Sequence, residues 1–69
     1  MDFYDLAHIT DEDCKIDVEF FDFNKMEKQQ LKDLTFSDIL KLDDNHMYAR
    51  VSWFNVPCEN KISVLCILD

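Results

Sequence analysis

Apolar residues recur along this chain with two different periods, and the switch between them divides it into elements. Over residues 15–23 the period is two: Ile16, Val18 and Phe20 point one way, and Asp17, Glu19, Phe21 and Phe23 the other. That alternation predicts a half-buried strand. Asn24 then stands three residues ahead of Glu27, the spacing of a helix N-cap and its reciprocal partner. Met26, Gln30, Leu31 and Leu34 follow at helical spacing, so a helix is predicted there. Thr35 and Asp38 repeat the capping arrangement and open a second short helix with Phe36, Ile39 and Leu40, which Asp43, Asp44 and Asn45 end. From Met47 the period returns to two, with Met47, Ala49, Val51 and Trp53 on the apolar side. Residues 55–60 predict a hairpin loop, and Ile62, Val64, Cys66 and Leu68 alternate as a last strand.

The N-terminal residues 2–9 fit two patterns. Phe3, Leu6 and Ala7 make one helical face behind Asp2 as N-cap, while Phe3, Asp5, Ala7 and Ile9 alternate as an edge strand would. A short helix or irregular arm is the preferred reading. Residues 10–13 predict a turn, with Asp11, Glu12 and Asp13 in succession. The chain has no glycine, so turns needing positive φ fall to asparagine or aspartate. Asn24, Asn45, Asn55 and Asn60 stand at the predicted boundaries. Together these elements predict one small α+β domain over residues 1–69: an antiparallel sheet of three to four strands with one or two helices on one face.

Composition decides whether such a domain folds. Hydrophobic residues are 48% and aromatics 13% of 69 residues, far from the make-up of disordered acidic tails. The margin is thin, because a core of this size nets only about 3–5 kcal/mol. A partner, or a second copy as a homodimer, would relieve that shortage. No apolar run approaches the roughly 20 residues that span a bilayer, and the N-terminus is acidic where a secretory signal is basic. Three unpaired-looking cysteines, Cys14, Cys58 and Cys66, fit the reducing cytoplasm better than a disulfide framework.

Charge changes the picture most. The net charge is −8, which argues against nucleic acid and anionic membranes as direct ligands. Eight acids (Asp2, Asp5, Asp11, Glu12, Asp13, Asp17, Glu19 and Asp22) face a single base, Lys15, within residues 1–22. The rest of the chain is nearly balanced, with seven acids and six bases.

Candidate chemistry is sparse. Cys14, Cys58, Cys66, His8 and His46 lack the closely spaced pairs of structural zinc sites, and Cys66 has the inward parity of a core residue. Neither acidic cluster continues with the glycine and distal glutamate of a calcium loop. A nucleophilic cysteine would need a histidine and an orienting group around a pocket. No cofactor and no enzymatic activity are expected. Trp53 is expected in the core. Phe21 and Phe23 have two readings: covered by the N-terminal arm, or exposed as an aromatic anchor ringed by acids.

The sharpest expectation concerns the first strand. Same-face residues in a strand stand roughly 6.6–6.8 Å apart, about the spacing of neighbouring backbone phosphates. Asp17 and Glu19, extended by Asp11, Glu12, Asp13 and Asp22 and accompanied by Phe21, would thus form a partner-binding row that complements a basic groove. In size, in the acidic segment from Asp2 to Asp22 and in its short α+β pattern, the chain resembles small acidic phage and mobile-element proteins that imitate nucleic acid. Anti-CRISPR proteins, anti-restriction proteins and uracil-DNA glycosylase inhibitors belong to that class. The resemblance implies an inhibitor, most simply of the anti-CRISPR kind, that occupies the nucleic-acid groove of a larger enzyme in the host cytoplasm. The alternative is an interaction module or regulatory subunit that binds through an apolar surface.

Overall fold

The computed structural model describes residues 1–10 and 13–68, leaving aside the side chain of Cys58. The elements run α1 (Phe3–Ile9), β1 (Lys15–Asp22), β2 (Glu27–Leu34), α2 (Phe36–Ile39), α3 (Asp44–Met47), β3 (Arg50–Cys58) and β4 (Lys61–Leu68). The four strands form one sheet in the order β2-β1-β4-β3. The α+β class and the strand count agree with the expectation, but the sheet is mixed: β1 and β4 run parallel between two antiparallel hairpin partners.

At the N-terminus the helical pattern wins over the strand pattern. The Asp2 carboxylate accepts the Asp5 amide at 2.8 Å, and the Asp5 carboxylate accepts the Asp2 amide in return. This reciprocal cap satisfies two of the donors that a helix start leaves free. It directs Phe3, Leu6 and Ala7 into the core. There they join Ile39 and Met47 from α2 and α3 over Ile16, Val18, Phe20, Val64 and Cys66 of the sheet. Phe3 meets Phe20 edge-to-face at 5.6 Å. All three helices therefore cover one face of the sheet.

The helix expected from Asn24 to Leu34 is instead a turn followed by β2. The Asp22 carboxylate accepts the amides of Asn24 and Lys25 at 2.9 and 3.2 Å, which closes a hairpin turn where a helix cap was read. Leu31 and Leu34 do share a face, but a bulge puts them there. Val18 pairs with Leu31 and Ile16 with Leu34, so three steps on β2 match two on β1. Asp33 absorbs the extra residue with φ of 56°, in the left-handed region that bulges use. A spacing of three, the mark of a helix face, thus arises inside a strand.

α2 forms as read, with a reciprocal cap between Thr35 and Asp38. It ends at Ile39, and Leu40 is its C-cap. Asp43 does not end that helix but caps α3, accepting the His46 amide at 3.2 Å, and Met47 belongs to this turn rather than to a strand. β3 reaches Cys58, so residues 55–58 are strand rather than loop. Among the described residues only Met26 (φ 52°) and Asp33 adopt positive φ. An aspartate fills one of these positions, but none of the boundary asparagines is used this way.

A second bulge overturns the placement of Trp53. Val51 pairs with Cys66 and Trp53 with Leu65, two steps against one. The extra residue turns Trp53 away from the core to the opposite face, where it is 54% exposed. β4 keeps the expected parity, with Val64 and Cys66 buried.

Candidate binding surface

Among the described residues, no element covers the face opposite the helices. Registers fix its rows: Trp53 pairs with Leu65, Leu65 with Glu19, and Glu19 with Gln30. On one side of this row Phe21 lies between Lys28 and Ile67, and on the other Asp17 neighbours Ser63, which pairs with Asn55. Strands stand roughly 4.7–4.9 Å apart, so the Trp53 indole and the Glu19 carboxylate sit two strands apart with Leu65 between them. Asp17, Glu19, Gln30, Trp53, Ser63 and Leu65 line a shallow depression of about 210 Å³. Ligand pockets are typically about 300–1,000 Å³; this depression has the size to receive a side chain. Phe23 is 56% exposed and packs edge-to-face on half-buried Phe21 at 4.7 Å. The N-terminal arm does not cover this pair, because α1 lies on the other face.

The strand carboxylates are held by bases of the chain itself. Glu19 pairs with Lys28 at 3.2 Å. Lys61 bridges Asp17 and Asp33 at 3.3 and 3.0 Å, and the Asp33 amide donates to Asp17 at 2.9 Å. Hydrogen bonding to the carboxylates of Asp33 first and Asp17 second holds the Lys61 ammonium above its usual range. Such solvent-facing pairs add little stability each. They fix where the charges sit and set two lysines against the carboxylates of Glu19, Asp17 and Asp33.

The expected partner-binding residues therefore separate. Asp17, Glu19 and Phe21 share the uncovered face, as their parity required. Asp22 has the parity of Phe20, on the helix side, and its carboxylate is engaged in the turn. Asp13 is exposed just before β1, and Asp11 and Glu12 lie outside the described residues. Lys61, Ser63 and Leu65 could have been found from the parity of β4. Lys28 and Gln30 could not, because their strand reads as a helix.

Other chemistry-bearing groups are placed elsewhere. Cys14 is half-buried and Cys66 buried, both as free thiols. Burial pushes the Cys66 thiol up to about 12. His46 stands edge-on to Phe20 at 4.7 Å, with Nδ1 on the Asp43 carboxylate and Nε2 3.2 Å from Gln29 Oε1. The hydrogen bond from the His46 side chain, foremost, keeps the Asp43 carboxyl below the usual range. Among the described residues no group of three His, Cys, Asp or Glu side chains is arranged to hold a metal ion, and no helix is long and apolar enough to cross a membrane.

Set against known protein families, curated proteins and solved structures, the chain matches none.

Proposed function

We propose that this chain is a small acidic binding protein, an inhibitor rather than an enzyme, that docks its uncovered sheet face on a basic surface of a larger protein inside the cell. The observation that carries this reading is Trp53, more than half exposed, in one row with Leu65 and Glu19 on a face that no described element covers. Tryptophan is among the residues that most often dominate interface energetics, and carboxylates around such an anchor steer and orient the encounter. A net charge of −8 selects a basic partner surface and disfavours nucleic acid as a ligand. The groove of a nucleic-acid-handling enzyme is the protein surface that best fits this description. An anti-defence inhibitor of the anti-CRISPR kind is the specific form to which size and acidity point.

A second reading has its own support. Lys28 and Lys61 occupy the two carboxylates that would serve as phosphate stand-ins, which favours a module held mainly by apolar contact. Competition with a labelled duplex, on nucleic-acid-binding enzymes from the native host, separates the two. The inhibitor reading expects displacement of the duplex, an affinity falling steeply as salt shortens the Debye length, and a loss of about thirtyfold or more for Trp53→Ala. Binding that ignores salt and leaves the duplex in place would establish the apolar module instead.

A further inference from the structure

The sheet ends on two edge strands of opposite chemistry. β2 carries Glu27, Lys28, Lys32 and Asp33 along its eight residues, the charged guard that keeps an edge from recruiting another strand. β3 carries no ionisable group from Val51 to Pro57. Its beginning already has a neighbour, since Val51 N–H donates to the Met1 carbonyl at 3.0 Å and Phe3 N–H donates to the Ala49 carbonyl at 2.8 Å. Beyond that point no main-chain partner covers its outer side among the described residues. Trp53 is exposed on the uncovered face. Phe54, which pairs with Val64 and so lies on the helix side, is 48% exposed, and Val56 is 59% exposed. The helical layer stops short of them.

We infer that the outer edge of β3 pairs antiparallel with the same edge of a second copy, joining two sheets into one. The sequence of the edge is self-complementary in the way a twofold axis requires. A pairing centred on Phe54 sets Phe54 against its own copy and Trp53 beside Asn55, in the stretch between the two irregularities of β3, one at Val51–Trp53 and one at Asn55–Cys58. No charge meets a like charge, although each chain carries −8. Aromatic pairs of this type add to strand association. Pro57 has no amide hydrogen to donate and limits the pairing to a short stretch. Because the β2 edges of the dimer stay guarded, growth stops at two copies instead of continuing into a fibre. The acids of β1 lie beyond β4 from this edge, so their repulsion acts over a distance that salt screens, while Asp2, which bridges to Arg50, marks the start of the edge.

This pairing is independent of the inhibitor reading and has the opposite salt dependence. Sedimentation equilibrium on the full chain, at low and high ionic strength, is the test. A monomer–dimer equilibrium that tightens as salt rises is the expected result. Val56→Lys and Val56→Glu change the overall charge in opposite directions, so both weakening dimerisation by at least about tenfold would point to the edge itself. Lys32→Ser on the other edge should leave the dimer intact, and hydrogen exchange should slow at Phe54 with rising concentration. A monomer under all conditions, a dimer that survives both Val56 substitutions, or a dimer that loosens with salt would each overturn the proposal. A monomer whose β3 amides become protected only when a foreign protein binds would overturn it too.

Discussion

Cys66 offers a stability test in which the buried thiol can be isolated from everything else. Its side chain has no exposed surface in the middle of β4, and burial raises its pKa from 9.0 to about 12. The raised value means that the folded state holds a proton the unfolded chain releases. The contribution is fully present below pH 9 and is lost progressively as pH climbs toward 12. Near pH 10.5 the unfolded thiol is about 1.5 units above its pKa, so wild type loses ~2 kcal/mol relative to neutral pH from this group alone. That is roughly half the net stability of a domain this small. Urea unfolding with an m-value of about 1 kcal/mol/M turns it into a midpoint shift of ~2 M. Cys66→Ala costs packing at both pH values, but that cost cancels when each protein is compared with itself. Wild type should lose about 2 M more than Cys66→Ala between roughly pH 8 and pH 10.5, while Lys61, whose pKa is also raised, weakens both alike. Equal losses for the two proteins would refute the reasoning and mean that water reaches the sulfur in the native state.

Met26 is exposed with φ of 52°, so Met26→Gly should raise stability by about 0.5–1 kcal/mol in urea unfolding, and a loss would show that the turn is not strained. Thr35→Ala removes the cap of α2 and should cost ~1 kcal/mol. The hydrogen bond from the Thr35 backbone, foremost, lowers the Asp38 pKa, so the stabilisation is present above about pH 4 and fades as pH falls below it. Acid titration of Asp38→Asn should show a shallower decline than wild type. Phe20→Ala empties the contact between α1 and the sheet and should cost about 3–5 kcal/mol, enough to abolish the cooperative transition in calorimetry.

Two departures from the sequence pattern, the strand at residues 27–34 and the exposure of Trp53, share one physical reason. Period two marks a strand only while every residue takes one step along the ladder. Asp33 adds a step in β2 and the region around Ser52 adds one in β3. The first made Leu31 and Leu34 look like a helix face, and the second carried Trp53 from the predicted core to the open face. Bulges depend on the partner strand, which the local pattern does not contain. β1 and β4 were legible because each takes one step per residue along their mutual pairing, and the caps at Asp2 and Thr35 because a cap is closed by residues three apart. On the candidate surface, Asp17, Glu19 and Phe21 followed from parity alone. Of the lysines that hold the two carboxylates, Lys61 shares the parity of Ser63 and Leu65 on β4, whereas Lys28 arrives from a strand hidden by the bulge.

The parallel pairing of β1 with β4 sets an order of assembly. β1 and β2 are neighbours in sequence and so are β3 and β4, so each hairpin can close locally and early. Their union waits for Ile16 to find Ile62, partners from opposite ends of the chain, with the loop-closure entropy that such a distance imposes. During synthesis, β1 leaves the ribosome long before its parallel neighbour exists. Its apolar residues Ile16, Val18 and Phe20 must spend that interval without the flank that completes their burial. For a cell making this protein, the vulnerable period is the gap between the first hairpin and the last strand, when chaperones or proteases have their best access.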